Sequence, residues 1–195
     1  MGCGDFGPPP PPGKTSWGQH DLVIRRSTDS GSSWGQLTTL LDAIDFPPWK
    51  KISATGKPDN GNAIWDPSPL WDSKTDTVWL FFNGPGREGS GPGGLNGDCL
   101  AGLCSTWETH STDKGISWTT PANMTLQCQR PGVRAGSRAG NSPGNGHGVQ
   151  LSSGRLVVPM YSGDPPSASV CYSDDHGKCD AHACTRMRSA RRCAY

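Results

Sequence analysis

Hydrophobic positions in this chain fall in short β-prone runs that alternate with turn chemistry. The runs DLVIRRS (Asp21–Ser27), TVWLFF (Thr77–Phe82) and GRLVVPMY (Gly154–Tyr161) are rich in β-branched or aromatic residues. Each is bounded by Gly, Asp, Ser or Pro, as strands joined by turns are. No segment sustains the 3.6-residue period of an amphipathic helix. Two glycine-rich stretches, Gly84–Gly97 and Gly132–Gly148, predict long loops between strands. The run Pro8–Pro12 predicts a stiff polyproline II spacer or a disordered insert. The pattern as a whole predicts an all-β fold.

Composition sharpens this picture. With 195 residues the chain is long enough for one domain with a core, but 27 Gly and 18 Pro argue against long helices. Eight Trp imply that aromatic side chains carry much of the burial. The formal charge is +1 without a basic cluster in the first 180 residues, which argues against a nucleic-acid partner. The late arginines Arg186, Arg188, Arg191 and Arg192 read as a solvated or disordered tail. No stretch approaches the roughly 20 apolar residues of a membrane span. The N-terminus, MGCGDFGPPPPPGK, lacks the apolar run of a signal peptide, and Phe6 breaks the myristoylation pattern. Eight Cys and the sequon Asn123-Met124-Thr125 suit a secreted chain, so the compartment stays open between secretory, lysosomal and other locations. The cysteines lack paired CxxC spacing, which argues against a zinc site, and nothing in the sequence calls for a cofactor. Cys99 and Cys104 either close a small loop or remain free thiols.

One phrase repeats. STDSGSSW (Ser27–Trp34) returns as STDKGISW (Ser111–Trp118), and SDDHG (Ser173–Gly177) begins a third copy that reaches Asp180 where the Trp is expected. In each copy the Asp at the third position can accept bonds from turn amides, and the Gly two residues later can take positive φ. The first Ser can bond the turn backbone, and the Trp is expected to start the returning strand and pack over the hairpin. The structural set is therefore Ser27, Asp29, Gly31 and Trp34; Ser111, Asp113, Gly115 and Trp118; and Ser173, Asp175 and Gly177. Each copy is expected to lock a β-hairpin rather than to touch a ligand.

The phrase S-x-D-x-G-x-x-W resembles the Asp-box of the sialidase (neuraminidase) superfamily. The surrounding text is similar as well. HDLVIRRSTDSGSSW looks like the family strand entering its first Asp-box, and GNAIWDPSPLWDSKTDTVWLFFN looks like the next-blade segment. GNGHGVQLSSGRLVVPMY is similar to the family phrase GPGxGIQL…GRLxxPxY. These follow in family order from about Gly18 to Gly177. The resemblance implies a six-bladed propeller of four-stranded antiparallel sheets, of which this chain supplies about three blades. The implied organisation is an N-terminal Pro-rich segment over 1–17, a partial propeller over 18–177 and a divergent or mis-framed tail over 178–195.

By the same resemblance the chemistry is that of a retaining glycosidase with a Tyr nucleophile assisted by a Glu. Sialic acid carries a carboxylate at its anomeric carbon, so an attacking Asp or Glu would meet like charge. Three arginines clamp that carboxylate bidentately, and an Asp protonates the leaving oxygen. If CGDFG is the family phrase and PPPPPGKTSWG an insertion, Asp5 is the general acid/base; if TSWGQHDLV aligns without a gap, Ser16 takes the place and the acid is lost. The first alignment is favoured. Asp66, in WDPSPL, stands where relatives place a residue that bonds a sugar hydroxyl, although Asp-Pro is also an ordinary turn starter. His147, in GNGHG, either lines the pocket or faces solvent. Arg25 and Arg26 do not fall at the family's clamp positions. Tyr161, Tyr172 and Tyr195 do not match the nucleophile pattern.

The expected function is thus an exo-α-sialidase-like hydrolase acting on sialylated glycans, inactive as this chain alone, because a lone acid/base supplies roughly 10²–10⁴-fold. The competing reading is a non-catalytic Asp-box module that binds a glycan or a protein. The tail KCDAHACTRMRSARRCAY departs from strand patterning in mid-motif, as a frame change or misplaced splice junction would produce; a divergent tail is the alternative.

Overall fold

The computed structural model describes residues 21–43, 64–85, 104–128, 142–144, 146–163 and 166–178. The chain divides into two compact units, Met1–Trp65 with Arg87–Gly97, and Asp66–Gly86 with Asp98–Tyr195. All regular structure among the described residues is strand.

Among its described residues the first unit contains one antiparallel pair, β1 (Leu22–Ile24) and β2 (Thr38–Leu41), in register Leu22 with Leu41 and Ile24 with Thr38. The first Asp-box forms the connection between them. β1 is shorter than the apolar run predicts: Arg25 and Arg26 lie beyond its end, both exposed, and Ser27 already belongs to the box.

The second unit holds two four-stranded sheets. One runs in the order β3 (Trp65–Asp72), β4 (Thr77–Pro85), β5 (Cys104–Ser111) and β6 (Ala122–Asn123). β4 pairs antiparallel with β5 from Val78 opposite Ser111 to Pro85 opposite Cys104, and β5 pairs antiparallel with β6. Gly84, read from sequence as the start of a loop, continues β4. Pro67 and Pro69 sit in β3, an edge position where the missing N–H groups disturb no ladder.

The other sheet is built on β9 (Leu156–Gly163), with β10 (Pro166–Ser173) along one side in continuous antiparallel register. Along the other side lie β7 (Ser142–Pro143) and β8 (Val149–Gln150). Pro143 faces Met160 and Val149 faces Val157, so five residues, 144–148, stand opposite only two of β9. β7 and β8 are therefore one interrupted strand with a wide bulge. Gly144 N extends the ladder to Pro159 O at 3.0 Å, and Gly148 N reaches Pro69 O of β3 at 2.8 Å. A side chain at Gly148 would place Cβ 2.6 Å from Leu70 Cδ1 and 2.9 Å from Val157 O. Only glycine lets the bulge seat between β3 and β9.

Alternation on β9 buries Leu156, Val158 and Met160 on one face. They pack with Leu70 and Cys128, and Trp79, Phe81, Met124 and Cys171 close the cluster from its margin. A disulfide joins Cys128 to Cys171 through this core, across 43 residues of chain. Cys99 and the side chain of Cys104 lie outside the described residues, as does the tail from residue 179 onward.

A second tie between the two sheets is polar. Asp72, fully buried at the end of β3, accepts from Gln150 Nε2 (2.6 Å), Lys74 N (3.1 Å), Thr75 Oγ1 (2.7 Å) and His176 Nδ1 (2.7 Å). Burial alone would push this carboxyl up; the bonds from Thr75, Lys74, His176 and Gln150 together hold it below its ordinary value.

Candidate functional site

The three Asp-boxes share one internal geometry. In the first, Ser27 Oγ donates to Asp29 Oδ1 (2.7 Å) and accepts from Gly31 N (2.7 Å), while Asp29 accepts from Ser33 N (2.9 Å) and Ser33 Oγ (2.6 Å). The second repeats this with Ser111, Asp113, Gly115 and Ser117, at 2.8, 2.7, 2.9 and 2.6 Å. Ser30, Lys114 and His176 at the fourth position all take positive φ, as do Gly31, Gly115 and Gly177 after them. The third box keeps its opening half: Ser173 Oγ bonds Asp175 Oδ1 (2.6 Å) and Gly177 N (2.9 Å). These bonds explain the acidic character of the turn. Hydrogen bonds from the Ser33 and Ser27 side chains and the Ser33 amide lower the Asp29 carboxyl to about 2, and Asp113 is lowered in the same way by Ser117 and Ser111.

The first copy departs from expectation in where its Trp stands along the strand. Trp34 is 58% exposed and precedes β2 by four positions, so it does not start the strand, although its ring lies 4.0 Å from where a Cβ on Gly31 would sit; Trp118 is half-buried. The next residue closes the loop. Gly35 N bonds Arg26 O (2.8 Å), and Thr119 N bonds His110 O (2.9 Å) in the second copy. The loop is closed by the residue after the Trp bonding the residue before the Ser. In the third copy another ring covers the glycine: a Cβ on Gly177 would meet Trp79 Cη2 at 2.4 Å, and Trp79 also packs on His110 with centroids 4.5 Å apart.

Away from these turns, polar groups converge at Asp66. Asp66 lies within β3 rather than at a turn, yet has φ of 52° and precedes a proline, a pairing that L-residues avoid. Such a conformation persists where surroundings enforce it, at a cost of order 1–3 kcal/mol. Here Asn83 Nδ2 from β4 and Tyr161 OH from β9 both donate to Asp66 Oδ2, at 2.8 and 2.9 Å. Asn83 is fully buried, and its Oδ1 takes no hydrogen bond from the described residues. Ser142, buried in β7 directly opposite Tyr161, completes the group.

Tyr161 is pushed up to about 12, chiefly by burial and then by the Asp66 charge and hydrogen bond; a side-chain bond with Ser142 acts the other way. A phenol so held stays protonated and donates. Its bond to Asp66 Oδ2 is part of what holds that carboxylate in place.

His147 lies in the bulge, exposed, with Nδ1 donating to Gly148 O at 3.0 Å. No hydrogen bond or ion pair among the described residues links it to Asp66. Asp5 and Ser16 lie outside the described residues. The sequence reading singles out Asp66 but passes over Asn83 and gives Tyr161 no role. The available signal was an amide ending the apolar run WLFF, since a buried amide calls for a partner.

The BNR repeat-like domain family matches residues 13–192 of this chain. A sialidase of Bacteroides fragilis (strain YCH46) is 31% identical over 164 residues, which span 81% of this chain and 28% of that protein. Human sialidase-4 is 32% identical over 175 residues, 82% of this chain and 32% of its own length. Among solved structures, Hadza microbial sialidase Hz136 superposes with a TM-score of 0.60 at 28% identity, covering 82% of this chain and 30% of that one. Trypanosoma rangeli sialidase in complex with sialic acid shares the fold at a TM-score of 0.56 and 13% identity. The chain thus spans about a third of the length of these relatives. With its Asp-box turns and its four-stranded antiparallel sheets, it belongs to the sialidase/BNR-repeat superfamily of β-propeller proteins.

Proposed function

We propose that these residues form the substrate-positioning part of an exo-α-sialidase-like glycoside hydrolase that removes terminal sialic acids from glycoconjugates. The observation that carries the reading is the Asp66 carboxylate, held at positive φ by Asn83 and Tyr161. With Oδ2 engaged by two protein donors, Oδ1 remains as an acceptor for a sugar hydroxyl or amide N–H. A carboxylate there repels the sugar's own carboxylate, so Asp66 reads the opposite end of the ring. Asp5 is the proposed general acid/base, and His147 a further pocket residue. Tyr161, protonated and bonded to Asp66, does not serve as the nucleophile, so the 195 residues alone bind sugar without turning it over.

The test is saturation-transfer NMR with free sialic acid, alongside hydrolysis of an aryl sialoside. Saturable binding that weakens at least fivefold in Asp66→Ala, without hydrolysis, supports the reading. Equal response to sialic acid and to a neutral hexose overturns the substrate class. Hydrolysis by the chain alone overturns the division of labour.

A further inference from the structure

Three independent features meet near Asn123, which the sugar site does not use. The sequon Asn123-Met124-Thr125 is the chain's one Asn-X-Ser/Thr with X other than proline. Asn123 is exposed on β6, the last strand in the order β3-β4-β5-β6. Its Oδ1 accepts from Thr125 N at 2.9 Å, and among the described residues no group bonds its Nδ2. Thr125 Oγ1 in turn accepts from Thr106 N at 3.1 Å, which fixes the sequon against β5. The third feature is the Cys128–Cys171 disulfide, whose first cysteine follows in the same segment. Disulfides persist in oxidising compartments such as the secretory lumen, where sequons are also read.

We propose that Asn123 is an N-glycosylation site. Nδ2 attacks the anomeric carbon of an oligosaccharide carried on a polyprenyl diphosphate, with the host's transferase as catalyst. The N–C bond forms as the C–O bond to the diphosphate breaks, the nitrogen loses one proton, and the polyprenyl diphosphate leaves. No redox change occurs. The folded structure accepts the product, because Oδ1 keeps its bond from Thr125 and Nδ2 has no bond to lose. A hydrated oligosaccharide at this position flanks the outer edge of β6 and bars another strand from adding there, a role natural edges otherwise assign to charges or bulges.

The experiment is peptide mapping of the full-length protein purified from its own cells. Trypsin, which does not cut the Arg130–Pro131 bond, releases residues 115–134, carrying both Asn123 and Cys128, and residues 156–178, carrying Cys171. Without reductant the expected product is the disulfide-linked pair bearing a glycan. Peptide-N-glycosidase in heavy-oxygen water then converts Asn123 to labelled Asp. Recovery of the 115–134 peptide at its unmodified mass overturns the proposal. In secreting cells Asn123→Gln is expected to abolish the glycan-dependent mobility shift and Thr125→Ser to retain it. A shift that survives Asn123→Gln also overturns it.

Discussion

Asp66 and Tyr161 stand 95 residues apart in the chain and meet at 2.9 Å, carboxylate to phenol. The contact joins β3 to β9. Removing the hydroxyl in Tyr161→Phe leaves Asp66 with Asn83 as its remaining donor. We expect a stability loss of about 1–2 kcal/mol in urea unfolding, since the bond involves a charged acceptor. Sialic acid binding should fall at least fivefold. An unchanged affinity would separate Tyr161 from the sugar site.

The same pair sets an alkaline limit. Tyr161 is raised from 10.0 to about 12, so the folded state holds its proton where the unfolded chain releases it. The stabilisation is complete below pH 10 and is lost as pH rises through about 12. In a ¹³C-tyrosine NMR titration, the resonance absent from Tyr161→Phe should remain that of a phenol at pH 11. Ionisation near pH 10 would contradict the geometry.

The Asp-box turns set the acid limit, with the opposite sign. Asp29 is lowered to about 2, so its contribution is present above its ordinary value of 3.8 and is lost as pH falls through about 2. Asp29→Ala and Asp113→Ala should each lower Tm by several degrees at pH 7. The wild-type carboxyl of Asp29 should remain ionised at pH 3 by carbon NMR. A Tm equal to wild type in both variants would mean that the turns form without their acceptors.

Gly148→Ala tests the bulge. The added methyl meets Leu70 and the Val157 carbonyl, and overpacking of this kind costs about 1–3 kcal/mol. Denaturant midpoints should report that loss. Gly146→Ala is the control for crowding, because nothing lies within 4 Å of a Cβ there, although its φ of 153° is also unusual.

Replacing both cysteines, Cys128→Ser with Cys171→Ser, removes a link across 43 residues. Loop-closure entropy for that span is about 4 kcal/mol. The doubly substituted chain, or the wild type under reductant, should unfold at correspondingly lower denaturant concentration.

Much of the fold was legible where burial is apolar. β4 and β9 carry WLFF and LVVPMY, and each lies where the hydrophobic run predicts it. β5, CSTWETHS, is not marked by hydropathy, because it buries Thr106, Thr109 and Ser111. Thr109 illustrates how that burial is tolerated, with Oγ1 bonded to Thr119 O at 2.7 Å. Two prolines argue locally against β3, and only its edge position reconciles them with a strand. The site was half legible. Asp66 stood out through the family phrase, whereas Tyr161 and Asn83 acquire meaning only once β3, β4 and β9 are brought together. The disulfide could not be paired from spacing, since eight cysteines allow many connectivities.

The Cys128–Cys171 bond makes a covalent ring of everything between those residues, including β7, the glycine bulge, β8 and β9. A protease that severs the backbone once anywhere within that ring releases nothing: the two pieces stay joined through sulfur, with the core strands still in register. Such a nicked molecule would migrate as one species without reductant and as two with it. The chain around His147 and the bulge can therefore suffer a break while the surrounding sheets remain assembled.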